Sequence, residues 1–480
     1  MVVRKSVVWS FVTGVLRRLT YKADMRTLLA VLLALPLAAQ TIPDRLDEYL
    51  TARTRLGQFS GAVLVAHEGK VLLRKGYGYA NLEHLVPVTP ETKFEIASLT
   101  KAFTAFAVHD LARQQKLKLD DPFCHYFDGC PDAWKAITIA QLIHHTSGIP
   151  DYEENLEMGS EKYYSALAHD DSAKTNIEWA RTKPLDFAPG TKFKYSNTAY
   201  LILGFLIERV SGKSYEDFLR ERIFTPLKMT STMHIDRTRV QRNRAEAYTH
   251  QAPLYDVVGG IELTSDHLRR VPELRQLPPQ ADGGLLSTID DLHQWTRALL
   301  GDGTLDAAFV RELLTPNQPG GYASGWLINK RFERDRITHT GVLPGMVSEI
   351  DLYPHSQTIV ILLSNLDRIR IANIMRDLTS IVFGMPYDVA RAHKVSHIDA
   401  AHAAKYLGTY KLDDGRVMEI KHDAENGRLE ASVKDQFVAG LLPESETLYY
   451  APMWEGTISF VNGALIMRQA GKDIRGERVK

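Results

Sequence analysis

A chain of 480 residues is roughly three times the ~150 residues of a typical domain, which predicts two or three folded units and a large buried core. With 44% apolar and 24% charged residues, and 58 basic side chains balancing 58 acidic ones, the composition is globular and excludes disorder, collagen and coiled coil as whole-chain descriptions. Zero formal net charge argues against a nucleic-acid binder, whose phosphate contacts draw on a basic excess.

The first feature along the chain is residues 28–39, LLAVLLALPLAA. This apolar run of about a dozen residues is shorter than the ~20 that a membrane-spanning helix needs. Arg26 gives it a basic flank, and small residues precede Gln40. The pattern is that of a signal peptide cleaved near Ala39, with Met25 a natural start, so export to the periplasm or medium is expected. An uncleaved amphipathic anchor is the alternative.

Residues 42–56 place Ile42, Leu46, Tyr49, Leu50 and Leu56 close to helical period. Residues 61–66 and 71–73, apolar and separated by His67-Glu68-Gly69-Lys70, predict a hairpin. Residues 94–117 read as one long helix that buries Phe103, Phe106, Ala107 and Leu111. Cys124 and Cys130, the only cysteines, flank a short polar loop; either they pair in an oxidising compartment or they remain buried thiols. Helical patterns fill residues 118–280, and strand-like runs return at 325–328 and 358–363. Early and late strands are therefore expected to share one sheet, with the helical middle inserted as a second lobe and a cleft between lobes. Pro386 breaks the pattern, and residues 386–403 read as a linker. Turn signals at Asp413-Asp414-Gly415, Glu425-Asn426-Gly427 and Val461-Asn462-Gly463 predict a small antiparallel β unit over residues 404–480.

Three short motifs carry chemistry. In Ser98-Leu99-Thr100-Lys101 a spacing of three puts hydroxyl and ammonium on one helix face, where Lys101 lowers the proton affinity of Ser98. The helix N-terminus adds N–H donors where an anion must develop. Tyr195-Ser196-Asn197 follows Pro189-Gly190 and precedes an apolar helix pattern. A tyrosine, with a pKa near ~10, becomes a base only where cations stabilise its phenolate, and Lys101 would be one. Tyr79-Ala80-Asn81 fits the same tripeptide, so the pattern alone does not choose. His339-Thr340-Gly341 borders a strand-like segment, and its glycine would let a substrate backbone approach closely.

Together, and in this order, the motifs resemble those of the penicillin-recognising serine hydrolases: class C β-lactamases, D-alanyl-D-alanine carboxypeptidases, D-aminopeptidases and related esterases. Residues 142–150 (LIHHTSGIP), 188–197 (APGTKFKYSN), 210–214 with 226–229, and 283–288 (GGLLST) are similar as well. The resemblance covers most of residues 43–380. It implies an α+β, two-lobed β-lactamase-like fold over residues 40–385, in which helices flank an antiparallel sheet and a mainly helical lobe is inserted. The tail resembles a small antiparallel β-barrel domain appended to some members.

Carried over residue by residue, the resemblance makes Ser98 the nucleophile that forms an acyl-enzyme, with Lys101 and Tyr195 sharing acid/base work. Asn197 would orient the substrate amide or the Lys101 side chain. The N–H groups of Ser98 and Val342 would form the oxyanion hole. His339, with Thr340 and Gly341, would bind substrate, His339 either meeting a carboxylate or holding Tyr195 polarised. No cofactor or metal is implied; the partner is a small acyl compound or peptide.

One departure matters. The β-lactamases of this family usually carry lysine where this chain has His339, and histidine titrates near ~6.5. A permanent cation for a substrate carboxylate is missing, which lowers the expectation of β-lactam hydrolysis as the main activity and predicts a histidine-dependent pH profile. The acyl-enzyme mechanism is unaffected. His144-His145 lacks H-x-H-x-D or H-E-x-x-H spacing and is not read as a metal site. Gly212-Lys213-Ser214 has Ile207 where a phosphate loop needs glycine, and no G-x-S-x-G elbow occurs. The competing function is a non-catalytic, penicillin-binding-like or scaffolding relative; retention of Ser98, Lys101, Tyr195 and Asn197 together argues for chemistry.

Overall fold

The computed structural model describes residues 40–155, 171–236, 238–250, 268–271, 276–277, 279–317, 319–423, 427–433 and 437–479. The signal-like run 28–39 lies outside them, as do residues 425–426 of one expected turn. The chain divides into residues 1–45 and residues 46–480.

Helix α1 (Ile42–Arg55) starts at Thr41, whose hydroxyl accepts the N–H of Asp44 at 3.3 Å. Strands β1 (Gly61–His67) and β2 (Lys70–Tyr77) form the expected hairpin around Glu68 and Gly69, both at positive φ. The helix expected over residues 94–117 is shorter in the structure. Phe94–Glu95 is a strand paired with Leu286 and Ser287, Ala97–Leu99 is a 3-10 turn, and only then does α2 (Thr100–Arg113) begin. Phe94 and Ile96 are buried, as a helix face would require, but a short apolar run does not distinguish strand from helix. Nearly all of α2 is buried, which makes it the central helix of the core.

The remaining elements that place the site are α3 (Asn197–Ser211), α4 (Ile289–Leu299), β3 (Leu327–Arg331), β4 (Arg334–Leu343), β5 (Met346–Tyr353), β6 (Thr358–Ser364) and α5 (Ile371–Phe383). The six strands form one antiparallel sheet in the order β3-β4-β5-β6-β1-β2. Early and late strands thus share a sheet as the sequence predicts, with Gly61 opposite Ser364. Alternation along β6 sends Ile359, Ile361 and Leu363 into the cluster that holds Trp295 of α4. Val360 and Leu362 are equally buried on the other face, toward α5, which packs on β5 and β6. A sheet covered on both faces reads as a continuous apolar run, here TIVILLS.

Cys124 and Cys130 are joined in a disulfide, the first of the two alternatives open in the sequence. At the C-terminal end, strands β7 (Gly408–Leu412), β8 (Val417–Asp423), β9 (Arg428–Val433), β10 (Phe437–Pro443), β11 (Leu448–Ala451), β12 (Gly456–Val461), β13 (Ala464–Gln469) and β14 (Lys472–Arg478) close into an antiparallel barrel. β14 returns to pair with β7. Tyr410, Met418, Leu441, Ile458 and Met467 are buried in its core. Asn462-Gly463, at φ 51° and 79°, turns β12 into β13 as the sequence predicts.

Residues 386–403 do not form a free linker. Asp388 accepts the N–H of Gly471 at 2.5 Å, Arg391 forks onto Glu444 at 2.9 and 2.6 Å, and the N–H of Ser396 bonds Pro443 O at 2.7 Å. Ala403 then enters the barrel core. The segment reads as a linker because the bonds that strap it to the barrel are polar.

Candidate active site

Ser98 lies in the 3-10 turn that leads into α2, directly after Ala97, whose φ of 48° is left-handed. Such a conformation at a non-glycine residue costs roughly 1–3 kcal/mol and recurs at functional turns. Lys101, in the first turn of α2, is fully buried. Its Nζ lies 3.0 Å from Ser98 Oγ, 2.7 Å from Asn197 Oδ1 and 2.8 Å from the carbonyl of Asp282. The amide oxygen and the carbonyl can only accept, so two of the Nζ hydrogens are committed to them. The third position faces Ser98: a charged amine donates there, and a neutral amine aims its lone pair at the hydroxyl.

The sequence places Asn197 by capping. Ser196 is the N-cap of α3, its Oγ accepting the N–H of Ala199 at 3.3 Å, which makes Asn197 the first helical residue. The Nδ2 of Asn197 donates to Asp151 Oδ2 at 3.1 Å, so its Oδ1 is the end turned to Lys101. Asn197 Oδ1 is thus bonded to Lys101, one of the two partners the sequence offers it.

Tyr195 is half-buried, and its ring centroid is 4.9 Å from Lys101 Nζ. Tyr79 sits in the strand Tyr79–Asn81, paired to Val86–Pro87, and its carbonyl accepts from Asn365 Nδ2 at 2.9 Å. Of the two matching tripeptides, Tyr195-Ser196-Asn197 is the one gathered around Lys101.

Gly341, on β4, lies against the turn that carries Ser98. A Cβ there would stand 2.3 Å from the carbonyl of Ile96, 2.5 Å from Ser348 Oγ and 3.0 Å from Ala97 Cβ. The close approach the glycine permits is therefore that of the protein's own backbone. Ser348 Oγ donates to the same Ile96 carbonyl at 2.8 Å and locks the turn to β5. The register of β4 with β3 ends at Thr338, opposite Leu327. Ladder alternation points the N–H groups of Thr340 and Val342 to the side that β3 occupies at Thr338. Among the described residues that edge is open at Val342, which is 52% exposed. The Ser98 N–H belongs to a first turn, whose donors lack intrahelical acceptors.

His339 is buried. Its Nδ1–H donates to the Thr340 carbonyl at 2.9 Å, which leaves Nε2 to accept the Tyr322 hydroxyl at 2.8 Å. Burial, with the Lys101 charge, pushes its pKa down to about 3. The titration near ~6.5 expected from the sequence is thereby moved below the physiological range, and the hydrogen bond runs to Tyr322 rather than Tyr195.

Three contributors, Asp282, Asp151 and Tyr322, are not singled out in the sequence, and a fourth, His145, is weighed there only as a metal ligand. Asp282 acts through its carbonyl, which leaves no mark in residue type, while its carboxylate accepts from Tyr152 at 2.9 Å. Asp151 orients Asn197, and Tyr322 holds His339. His145 is buried against Tyr195 and Tyr322, at 4.3 and 4.6 Å between ring centroids. His144 instead donates Nδ1–H to the Tyr322 carbonyl at 3.0 Å. Gly212, at φ 72°, ends α3, and Ser214 caps the next helix, so Gly212-Lys213-Ser214 is a joint between two helices.

The family model described as Beta-lactamase matches residues 46–378. The chain belongs to the β-lactamase family. It is 30% identical over 442 residues to penicillin-binding protein 4* of Bacillus subtilis, a match spanning 88% of this chain and 96% of that protein. The octameric penicillin-binding protein homologue from Pyrococcus abyssi superposes with a TM-score of 0.63 at 22% identity, over 90% of this chain and 99% of that one. The D-amino acid amidase from Ochrobactrum anthropi does so with a TM-score of 0.60 at 22% identity, over 72% of this chain and 99% of that one. The family is that of the penicillin-recognising serine hydrolases, and the β-lactamase-like fold with an appended β-barrel holds as expected.

Proposed function

We propose that this β-lactamase family member cleaves an ester or amide bond, in an ester, a D-amino-acid peptide or a β-lactam, through an acyl-enzyme on Ser98. The observation that carries the reading is the Nζ of Lys101, fixed by Asn197 Oδ1 and the Asp282 carbonyl so that its remaining position meets Ser98 Oγ at 3.0 Å. Ser98 Oγ bonds to the carbonyl carbon while its proton passes to the Lys101–Tyr195 pair, which shares the acid/base work, and the oxyanion collects on the N–H groups of Ser98 and Val342. The proton then goes, with Tyr195 as relay beside Lys101, to the departing amine or alcohol. Water repeats the sequence on the acyl group and returns Ser98. A neutral His339 offers no cation for a substrate carboxylate, which favours esters and amides over β-lactams as main substrates.

The same proposal takes the protein out of the cytoplasm. The Cys124–Cys130 disulfide supports export, because such bonds persist in oxidising compartments.

The test is covalent labelling with a fluorescent penicillin and a fluorophosphonate, with Ser98→Ala as control, followed by turnover of an ester, a D-amino-acid amide and a cephalosporin. A probe mass on the Ser98 peptide is expected. Lys101→Ala should fold yet acylate about 10²–10⁴-fold more slowly. If no ester, D-peptide or lactam acylates Ser98, the hydrolase reading falls and the non-catalytic relative replaces it.

A further inference from the structure

His145 is fully buried with its backbone at φ 56°, and it touches three consecutive residues of the loop that carries Tyr195. Its carbonyl accepts the N–H of Lys194 at 3.0 Å. Its ring lies 4.3 Å from that of Tyr195, the planes 30° apart. Its Nδ1 accepts the N–H of Ser196 at 3.1 Å. Further along, the N–H groups of Gly190 and Asp186 bond the carbonyls of Thr146 and Gly148, each at 2.8 Å. The loop over residues 186–196 is thus laid along residues 145–148, and Tyr195 sits between two hydrogen bonds to one histidine.

The Ser196 bond has a second consequence. Ser196 caps α3 and Asn197 opens it, so the bond to His145 also fixes where the helix starts, and with it the amide oxygen that holds Lys101. A backbone N–H can only donate, so Nδ1 is the bare nitrogen of a neutral ring and the proton is on Nε2. The titratable groups around the ring are Tyr195, Tyr200, Tyr322, Lys101, His339 and His144. Burial, then the charge of Lys101, keeps the imidazole from taking a second proton. Protonation at Nδ1 would set two N–H groups against each other and release Ser196.

We infer that His145 is a positioning residue for the reaction, setting the Tyr195 ring by stacking and the Ser196-Asn197 backbone by its Nδ1 acceptor. This rests on the proposed acid/base role of Tyr195 and Lys101. Misplacing reacting groups by about 1 Å can cost ~10² in rate, which sets the size of the expected effect.

The experiment separates ring from acceptor. His145→Asn keeps an acceptor at the Nδ1 position and loses the ring; His145→Phe keeps a ring and loses the acceptor; His145→Ala loses both. Acylation rate, kcat, KM and thermal midpoint are measured for each. Expected is a fall of about 10²-fold in kcat and acylation for His145→Phe with KM little changed, and recovery to within about fivefold of wild type in His145→Asn. That order should hold although His145→Asn loses more packing and melts earlier. A merely structural histidine would make activity follow the melting order, and that outcome, or a folded His145→Phe with wild-type kcat, overturns the inference. If His145→Phe does not fold, His145→Asn against His145→Ala decides: at least tenfold faster acylation in the former supports the acceptor, and equal rates refute it. Wild-type acylation is run in parallel; if it is absent, the hydrolase reading itself falls, whereas a labelled wild type with equally labelled variants removes the role of His145 alone.

Discussion

The hydroxyl of Tyr322 donates to Nε2 of His339 across 2.8 Å, a bond available because the Nδ1–H of the same ring is committed to the Thr340 carbonyl. His339→Lys would leave Tyr322 facing an ammonium and add a second buried cation near Lys101. An unsatisfied buried donor costs about 1–3 kcal/mol, and the added charge costs more. Expected are lower stability in denaturant melts and at least tenfold lower kcat/KM toward esters, amides and lactams alike. A gain in cephalosporin turnover would show instead that a cation at this position is all that β-lactam hydrolysis lacks.

The same histidine shapes acid stability. Its pKa is about 3 in the folded chain and ~6.5 when unfolded, so between these values the unfolded chain binds more protons. Its contribution is whole above pH ~6.5 and is lost progressively as pH falls toward 3. His144, pushed down to about 4 by burial, acts in the same direction. Glu349, raised to about 7 by burial and by Asp351, opposes them between pH 7 and ~4.5. His339→Gln cannot titrate, so the difference between wild-type and variant stability curves isolates His339. That difference should narrow steadily below pH 6.5, and parallel curves would contradict the assignment.

Gly341 and Gly463 separate a close approach from a turn. At Gly341 an added Cβ meets backbone and Ser348 within 2.5 Å, and the turn it presses on carries Ser98. Gly463 has open space but φ 79°. Gly463→Ala should cost about 1 kcal/mol with kinetics intact. Gly341→Ala should lose at least tenfold in acylation even where the protein remains folded by circular dichroism. Equal kinetics in the two variants would mean that the Ser98 turn yields without consequence.

The Cys124–Cys130 bond closes a loop with a separation of six residues, and chain entropy gives a loop of that size roughly 2–3 kcal/mol. The double serine variant should unfold at lower denaturant by that amount while keeping wild-type kcat/KM, because the bond bears on none of the residues around Lys101. Loss of activity without unfolding would place the loop in the catalytic assembly.

The grouping of the candidate site is legible where it depends on side-chain type at short spacing. Ser98 and Lys101 are three residues apart, and Tyr195-Ser196-Asn197 stands directly before the apolar pattern that becomes α3. The joining of β1 to β6 was also readable, since both are apolar runs that need a covered sheet. What escaped is carried by backbone or by distance along the chain. Asp282 serves through its carbonyl, and His145 receives an N–H from 51 residues away in a left-handed conformation that residue identity does not reveal. The start of α2 was misplaced because Phe94 and Ile96 are buried in a strand and a turn, as they would be in a helix. Polarity made residues 386–403 look like a linker, although Arg391 and Asp388 spend that polarity on the barrel.

Those polar contacts continue into the joint between the barrel and the catalytic fold. Arg53 of α1 forks onto Glu455, between β11 and β12, at 2.6 and 2.9 Å, and Asn373 of α5 donates to the same carboxylate at 2.9 Å. Arg370 adds a bond to the Met453 carbonyl at 2.6 Å. Burial pushes the Glu455 carboxyl up, yet the guanidinium of Arg53 holds it below its ordinary value. Removing one partner leaves the other with longer contacts, Arg53 with Asp377 at 3.7 Å and Glu455 with Arg370 at 3.8 Å: Arg53→Ala or Glu455→Ala should each cost about 1.5–3 kcal/mol, and the joint replacement Arg53→Met with Glu455→Leu should recover most of it. Turnover of small substrates should survive in the folded fraction of all three, because α5 packs on the sheet face opposite Gly341 and the Ser98 turn. Single variants that melt within 1 kcal/mol of wild type would mean that the barrel is held by its apolar contacts and that the ion pair contributes little.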